Sequence, residues 1–471
     1  MSHPTPSLTV LGGGPGGYAA AFLAADLGLP VTLIDEEANP GGVCLYRGCI
    51  PSKALLHVAR LINEARHSSA WGVTFAPPVI DLDRLRSFKE GVVAKMTGGL
   101  GQLSTMRGIT FVRGRGTVVD PHTISVATAT GEQRVTSDYI ILSTGSFPTK
   151  VPGVSIDSPR VMDSTGALEL RDIPRRLLVV GGGYIGLELG SVYAALGSAV
   201  TVVEMLDGLL PGADRDLANV LARSIAPRFT AVLLKTRVVS LTDNGASLDV
   251  VFDGDVAEKT QQFDKVLVSV GRKPNSKIPG LERTKVQVNG RGFIVVDGQR
   301  RTAEPSIFAI GDVAGDPMLA HKASHEGRVA VEVIAGHKAA FEPAAIPAVV
   351  FTDPELAWCG LTETDAKANG VDVEIARFPW AASGRATTID RSDGVTKLII
   401  DKATGRVRGM GIVGPGAGEL IAEGVLAVEM AATATDVAMS IHPHPTLSET
   451  VMESADAYFG TSTHIYRPKK K

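Results

Sequence analysis

The feature that most constrains this chain is a pattern that it carries twice. The apolar run Leu8-Thr9-Val10-Leu11 leads into Gly12-Gly13-Gly14-Pro15-Gly16-Gly17, followed by a helix-like run from Tyr18 to Leu27, a strand-like run from Val31 to Ile34, and an acid, Asp35. The run Leu177-Leu178-Val179-Val180 leads in the same way into Gly181-Gly182-Gly183-Tyr184-Ile185-Gly186. A helix-like run from Leu187 to Leu196 follows, then Ala199 to Val203 and the acid Glu204. First glycine and acid are 23 positions apart in both copies, Gly12 to Asp35 and Gly181 to Glu204. A glycine-rich loop alone often does no more than turn the chain. One that follows a strand, opens a helix and is succeeded by an acid about 20 residues on is a βαβ dinucleotide-binding unit. Its first glycine permits the tight turn, its second lets the backbone approach a pyrophosphate, and its third lets helix and strand pack closely. The phosphates then meet unpaired N–H groups at the helix N-terminus. Two dinucleotides are therefore expected, one on Gly12, Gly14, Gly17 and Asp35, the other on Gly181, Gly183, Gly186 and Glu204.

With 471 residues, 44% of them hydrophobic, the chain can bury large cores and divides into three or four domains at roughly 100–200 residues each. Residues 81–101 read as a helix and 109–126 as a small β-meander. The segments 138–145 and 264–272 hold two further parallel strands expected to close the two nucleotide-binding sheets. Beyond Ile346 strands and helices continue without a nucleotide fingerprint. The expected class is α/β, two Rossmann-like domains with three-layer sheets plus a C-terminal α+β domain, divided as 1–148, 149–275, 276–345 and 346–471. Net charge is −3, which offers no basic field for nucleic acid or an anionic membrane. No apolar run is long enough to cross a bilayer, and the first strand begins too early to leave room for a leader, so the expected location is the cytoplasm. Lys469, Lys470 and Lys471 read as a solvated tail.

Three cysteines do not make a secreted disulfide framework. Cys359 stands alone and reads as a buried apolar residue. Cys44 and Cys49, just after the first unit's acid, read as two small buried thiols, as half a metal site, or as a redox pair. Metal ligation favours shorter gaps and a second pair, so no metal is expected. A disulfide carries its own requirement, because residues five apart in a regular helix have Cα atoms about 8.6 Å apart, beyond the roughly 7 Å that a disulfide spans. The path would have to be broken, and Gly48 and Pro51 are residues that break one. Near the C-terminus Pro443 and Pro445 fix the backbone around His444. A helix start capped by Thr446 or Ser448 would let Glu449 fold back onto the imidazole. His442 reads as structural.

Taken together these motifs resemble the pyridine nucleotide–disulfide oxidoreductases, over essentially the whole chain. The first fingerprint, Gly48-Cys49-Ile50-Pro51-Ser52-Lys53, the second fingerprint, Ile307-Phe308-Ala309-Ile310-Gly311-Asp312 and the segment from His442 to Glu449 stand in that family's order and spacing. Gly-Cys-Ile-Pro-Ser-Lys, the His-x-His-Pro-Thr segment and Met318-Leu319-Ala320-His321-Lys322-Ala323 look like the members that reoxidise dihydrolipoamide. The resemblance implies FAD on the first fingerprint, with Asp312 holding the ribityl chain and Lys53 near the flavin, partnered by Glu188. It implies NAD on the second, since Glu204 would repel a 2′-phosphate and Met205-Leu206-Asp207 supplies no arginine to bind one. Gly116, Thr144, Gly145, Ala320, Gly271 and Arg272 join the expected cofactor contacts. Cys44 and Cys49 would form the redox-active disulfide. The first and third segments would complete the FAD site, the second would bind NAD, and the fourth would be an interface domain. His444, oriented by Glu449, would be the base in the neighbouring subunit of a homodimer. Expected partners are the lipoyl domains and acyltransferase core of a 2-oxo acid dehydrogenase complex, or the lipoyl carrier protein of glycine cleavage. The alternatives are another NAD(P)H-dependent disulfide reductase of the family, although glutathione-type members want basic residues after the second acid, and a flavoprotein assembly subunit. Tyr46-Arg47 departs from the family's usual Asn-Val, and Arg47 is expected to stabilise a nearby thiolate.

Overall fold

The computed structural model describes residues 5–466; the expected lysine tail lies outside them. Strand β1 (Leu8–Leu11), helix α1 (Pro15–Asp26) and strand β2 (Val31–Asp35) form the first βαβ unit, with β1 and β2 parallel from Leu8↔Val31. The first sheet runs Ile307–Ala309, Tyr139–Leu142, β1, β2, Thr110–Arg113, all parallel. Two expectations are corrected here. Thr110–Arg113 is an edge strand of this sheet, and the meander is Arg115–Asp120, Thr123–Thr128 and Gly131–Thr136. Tyr139–Leu142 does not close the sheet but lies inside it, because Ile140, Ile141 and Leu142 are fully buried and take neighbours on both edges.

Pleating sends alternate side chains to opposite faces, and here both faces are covered. Leu8, Val10, Leu33 and Ile141 pack against α1 and the helix Ala320–Ile334, whereas Leu11, Ile34, Ile140 and Leu142 pack against Val118, Ile124 and Val126 of the meander. The near-continuous apolar strands follow from this double burial. The second sheet repeats the plan in the order Ala231–Leu233, Ala199–Val203, Arg176–Val180, Lys265–Val268, Val161–Met162. Lys265–Val268 is again interior, with Val161–Met162 as the edge. An antiparallel layer, Thr236–Asp243, Leu248–Gly254 and Thr260–Phe263, covers one face.

The C-terminal part is a five-stranded antiparallel sheet carrying the helices Ala417–Glu429 and Glu449–Phe459. It is pinned to the second nucleotide-binding sheet's domain by Lys397, 1% exposed, whose Nζ lies 2.8 Å from Asp214, 2.7 Å from Asp216 and 2.7 Å from Glu363. This lysine, with Arg377 on Asp216 and Glu363, supplies the positive charge against those three carboxylates, the one such cluster among the described residues. Cys359 is buried as expected, and burial pushes its thiol up to about 12. No helix among the described residues is long and apolar enough to cross a membrane.

Candidate active site

The break that the cysteine spacing requires is present. Helix α2 (Gly42–Arg47) ends at Gly48, whose φ −142°, ψ −115° is not helical, and α3 (Cys49–His67) starts at once. A side chain at Gly48 would come within 2.8 Å of the Val43 carbonyl and 3.2 Å of the Cys44 Cα, so a glycine is needed to fold the two turns together. Pro51 falls in the first turn of α3, where a missing N–H costs no helical bond.

Both cysteines line a cleft of about 480 Å³. Cys49 is exposed into it, Cys44 is half-buried, and the two thiols are close enough for each to set the other's acidity. This contact and burial push the Cys44 thiol far up. Cys49 is lowered to about 7, first by the Cys44 thiol and then by the Lys53 cation, against burial and the Glu188 charge. The pair as a whole thus gives up one proton readily and holds the second tightly.

Lys53 Nζ is 2.9 Å from Glu188 Oε2, as expected, although the two residues stand 135 positions apart. The other oxygen, Oε1, accepts the Phe351 N–H at 2.9 Å, and Lys53 Nζ sits 4.4 Å from the centroid of the Phe351 ring. Phe351 was not singled out by the sequence. One buried carboxylate therefore joins α3, the second fingerprint's helix and the C-terminal domain.

Of the residues expected to contact cofactor, Gly12, Gly14, Asp35 and Gly116 line the cleft, as do Thr144, Gly145, Asp312, Ala320 and Arg272. Asp312 accepts from Ser146 Oγ at 2.5 Å, and Arg272 donates to both Ser146 Oγ and its carbonyl at 2.7 Å. Arg272 thus supports Asp312 through Ser146. The Gly311 N–H donates at 2.6 Å to Glu326, a fully buried carboxylate that also takes Arg300 and Lys322. Neither Ser146 nor Glu326 carries a motif that would have marked it.

The cradle fits two dinucleotides. The second glycines are open, with nothing nearer to a Cβ at Gly14 than 3.9 Å and nothing within 4 Å at Gly183. The third glycines are closed, a Cβ on Gly17 lying 1.8 Å from the Gly12 carbonyl and one on Gly186 lying 2.3 Å from that of Gly181. Asp35 accepts N–H bonds from Gly13 and Glu37, and Glu204 from Gly182 and Leu206, which holds both carboxylates at the ribose end of each unit. Gly181, Gly183, Glu204 and Gly271 lie outside the cleft. Near Glu204 the Arg215 guanidinium is committed to the carbonyls of Leu209, Leu210 and Ala213.

His444 is also outside the cleft and 71% exposed. Its Nδ1 lies 2.9 Å from Glu449 Oε1, while Glu449 Oε2 accepts the Thr446 N–H at 2.8 Å. Burial pushes the Glu449 carboxyl up, but these two partners outweigh it and hold it below the usual range. Ser448 stands at the N-cap without a side-chain cap bond, so Glu449 itself reaches back over the helix start. His442 is held by Glu423 and the Ser440 carbonyl, a structural role as expected. Arg47 corrects an expectation: it pairs with Glu37, on the ribose side of the cleft, and not with a thiolate.

The sequence profile of the pyridine nucleotide-disulphide oxidoreductases matches residues 6–327, and that of their dimerisation domain matches 346–455. The chain belongs to this family. Membership assigns FAD and NAD(H) as its cofactors and a dimerisation domain to its C-terminal part. Among similar proteins of the family, a dihydrolipoyl dehydrogenase of Haemophilus influenzae is 47% identical over 98% of this chain and 97% of its own. One from Geobacillus stearothermophilus is 43% identical over 97% of each. LpdA from Mycobacterium tuberculosis superposes with a TM-score of 0.88 at 30% identity, covering 95% of this chain and 99% of that one. The Escherichia coli flavoprotein disulfide reductase RclA, described as HOCl-induced, gives 0.85 at 27%, covering 97% and 99%.

Proposed function

We propose that this oxidoreductase reoxidises protein-bound dihydrolipoamide to lipoamide and reduces NAD to NADH, the activity for which its 42–48% identical relatives are named. The observation that carries the reading is the pair of cysteines that a broken helix brings together in the cleft, beside the Lys53–Glu188 pair. In the oxidised enzyme Cys44 and Cys49 are joined as a disulfide. His444 of one subunit takes a proton from a substrate thiol bound at the cysteines of the other, and Glu449 orients the ring and stabilises its charged form. The substrate thiolate attacks the Cys44 sulfur and Cys49 leaves as a thiolate, which Lys53 stabilises. The second substrate thiol then displaces Cys44, which departs with the first proton from His444, and the imidazole so freed takes the proton of that second thiol. The substrate has become a disulfide, and its two electrons rest in the Cys44–Cys49 dithiol. FAD, held in the cleft beside Cys49 and Lys53, would supply the remaining chemistry, the transfer of an electron pair between a dithiol and NAD. Gly12, Gly14, Gly17, Asp35, Gly116, Thr144, Gly145, Ala320 and Asp312 would hold the flavin. Gly181, Gly183, Gly186, Glu204 and Gly271 would hold NAD.

On the same reading, 1–148 and 276–345 build the flavin domain, 149–275 binds NAD, and 346–471 makes the dimer. Leu426, Met430, Met439, Ile441 and Phe459 stand exposed on that last part and are suited to a subunit interface. The enzyme would act in the cytoplasm on lipoyl domains docked on the acyltransferase core of a 2-oxo acid dehydrogenase complex, or on the lipoyl carrier protein of glycine cleavage. Steady-state assays test the reading. Rapid NAD reduction by dihydrolipoamide, with glutathione disulfide and NADPH giving little turnover, supports it; the reverse preference overturns it.

A further inference from the structure

Arg47 closes α2 one residue before the break, yet the thiol pair makes no use of its charge. Its side chain runs along the cleft wall toward the loop that follows β2, where it pairs with Glu37. Asp35 lies on the same wall. Burial pushes the Asp35 carboxyl up, against the Gly13 N–H and the Arg47 charge. With Glu36 this wall presents three acids to the cleft. An anionic dinucleotide entering there meets repulsion unless a cation is set among them. Of the neighbouring arginines, Arg113 donates to the Glu36 carbonyl at 3.1 Å, and Arg115, also on the cleft wall, lies 3.9 Å from the Glu36 carboxylate and offsets that acid, which leaves Asp35 and Glu37 to Arg47. Glu37 does not exhaust the Arg47 fork, because the pair is made through one terminal nitrogen and the side chain stays 39% exposed where it lines the cleft. A guanidinium offers five donors in a fixed plane and is built to share them between a carboxylate and a phosphate or hydroxyl oxygen.

We propose that Arg47 anchors the flavin. Bridged to Glu37, it donates from the guanidinium N–H groups left open to the cleft to an oxygen of the ADP half of FAD and, with Arg115, neutralises the acidic wall on which that half rests. The proposal rests on the reading that the first fingerprint binds FAD, and it makes Arg47 a binding residue with no part in thiol exchange. The partner it names is an anionic ADP group, recognised by a fork donor already held in place by an acid.

The test is FAD release from holoenzyme, followed by the rise of free-flavin fluorescence after dilution. Arg47→Met should release FAD about tenfold faster or more. Glu37→Gln, which frees the guanidinium without removing it, should release FAD no more than about twofold faster than wild type. A purely structural Arg47–Glu37 strap would be lost equally in both variants, so equal acceleration overturns the proposal. Release from Arg47→Met within twofold of wild type overturns it as well. Where circular dichroism shows that the Met variant fails to fold, Arg47→Lys keeps the charge and loses the fork. It should still release FAD several-fold faster, and a wild-type rate in that variant rules out donation by the guanidinium fork. Wild-type protein that purifies without flavin and takes none up would instead refute the FAD reading itself.

Discussion

Lys53 and Glu188 act on the Cys49 thiolate with opposite sign, and substituting each should move its titration in opposite directions. Cys49 is held low first by the Cys44 thiol and next by Lys53, while burial and Glu188 oppose them. An opposite charge within about 4–6 Å shifts a pKa by roughly 1–3 units. Glu188 sits 2.9 Å from Lys53 Nζ and cancels part of that field, so the low end applies. Lys53→Met should therefore raise the Cys49 pKa by about one unit, equivalent to about 1.4 kcal/mol. Glu188→Gln leaves the ammonium uncompensated and should lower it by about as much, while one of its amide hydrogens meets either Lys53 or the Phe351 N–H without an acceptor. The assay is the long-wavelength absorption of a thiolate against oxidised flavin in anaerobically two-electron-reduced enzyme, followed against pH. In wild type the band should fade on acidification with a midpoint at or below about 7. Midpoints that move in the same direction in both variants, or do not move, refute the assignment of Lys53 and Glu188 to this sulfur.

His444→Ala should slow dihydrolipoamide oxidation on the order of 10²-fold, the usual contribution of a positioned base, while reduction of the flavin by NADH stays fast. Mixed dimers of Cys44→Ser and His444→Ala subunits should regain activity at one of two sites, and exchanged but inactive mixtures would place both residues on one chain. Glu204→Ala should narrow the preference for NAD over NADP, read as the ratio of kcat/KM values. Lys397→Met leaves the buried Asp214 without its cation and Asp216 and Glu363 with Arg377 alone, and should destabilise the fold by about 3 kcal/mol in denaturant melts. Despite burial, Lys397 holds Asp214 and Asp216 below the usual carboxylate range. Their contribution is present above an unfolded value of about 3.9 and drains as the pH falls toward the folded one. That acid limb of the stability curve should flatten in the variant.

What the sequence made legible is what geometry demands of single residues. Gly17 and Gly186 tolerate no Cβ, and Gly48 alone lets two helical turns fold against each other. Such constraints act over a few positions and leave a pattern. The strand order was less legible, because Ile307–Ala309 joins its sheet beside Tyr139–Leu142 from far along the chain. Phe351, Ser146 and Glu326 escaped for a related reason, since each becomes meaningful only once distant segments meet, 163 positions apart for Phe351 and Glu188. Arg47 was noticed but misdirected. Its place in the motif marks it as unusual, and the loop after β2, which decides its partner, leaves no trace beside it in the sequence. Lys397, a lysine at an inward position of an apolar strand, was a signal that could have been used.

The central claim is that electrons enter through Cys44, pass to Cys49 and leave as NADH. Anaerobic mixing of the yellow oxidised enzyme with one equivalent of dihydrolipoamide, without NAD, tests it most directly. The long-wavelength thiolate band should grow rapidly, should be absent in Cys49→Ser, and about one NADH per flavin should be released when NAD is then added. Flavin reduction by dihydrolipoamide that proceeds undiminished in Cys44→Ser, or no reduction in wild type, would contradict it.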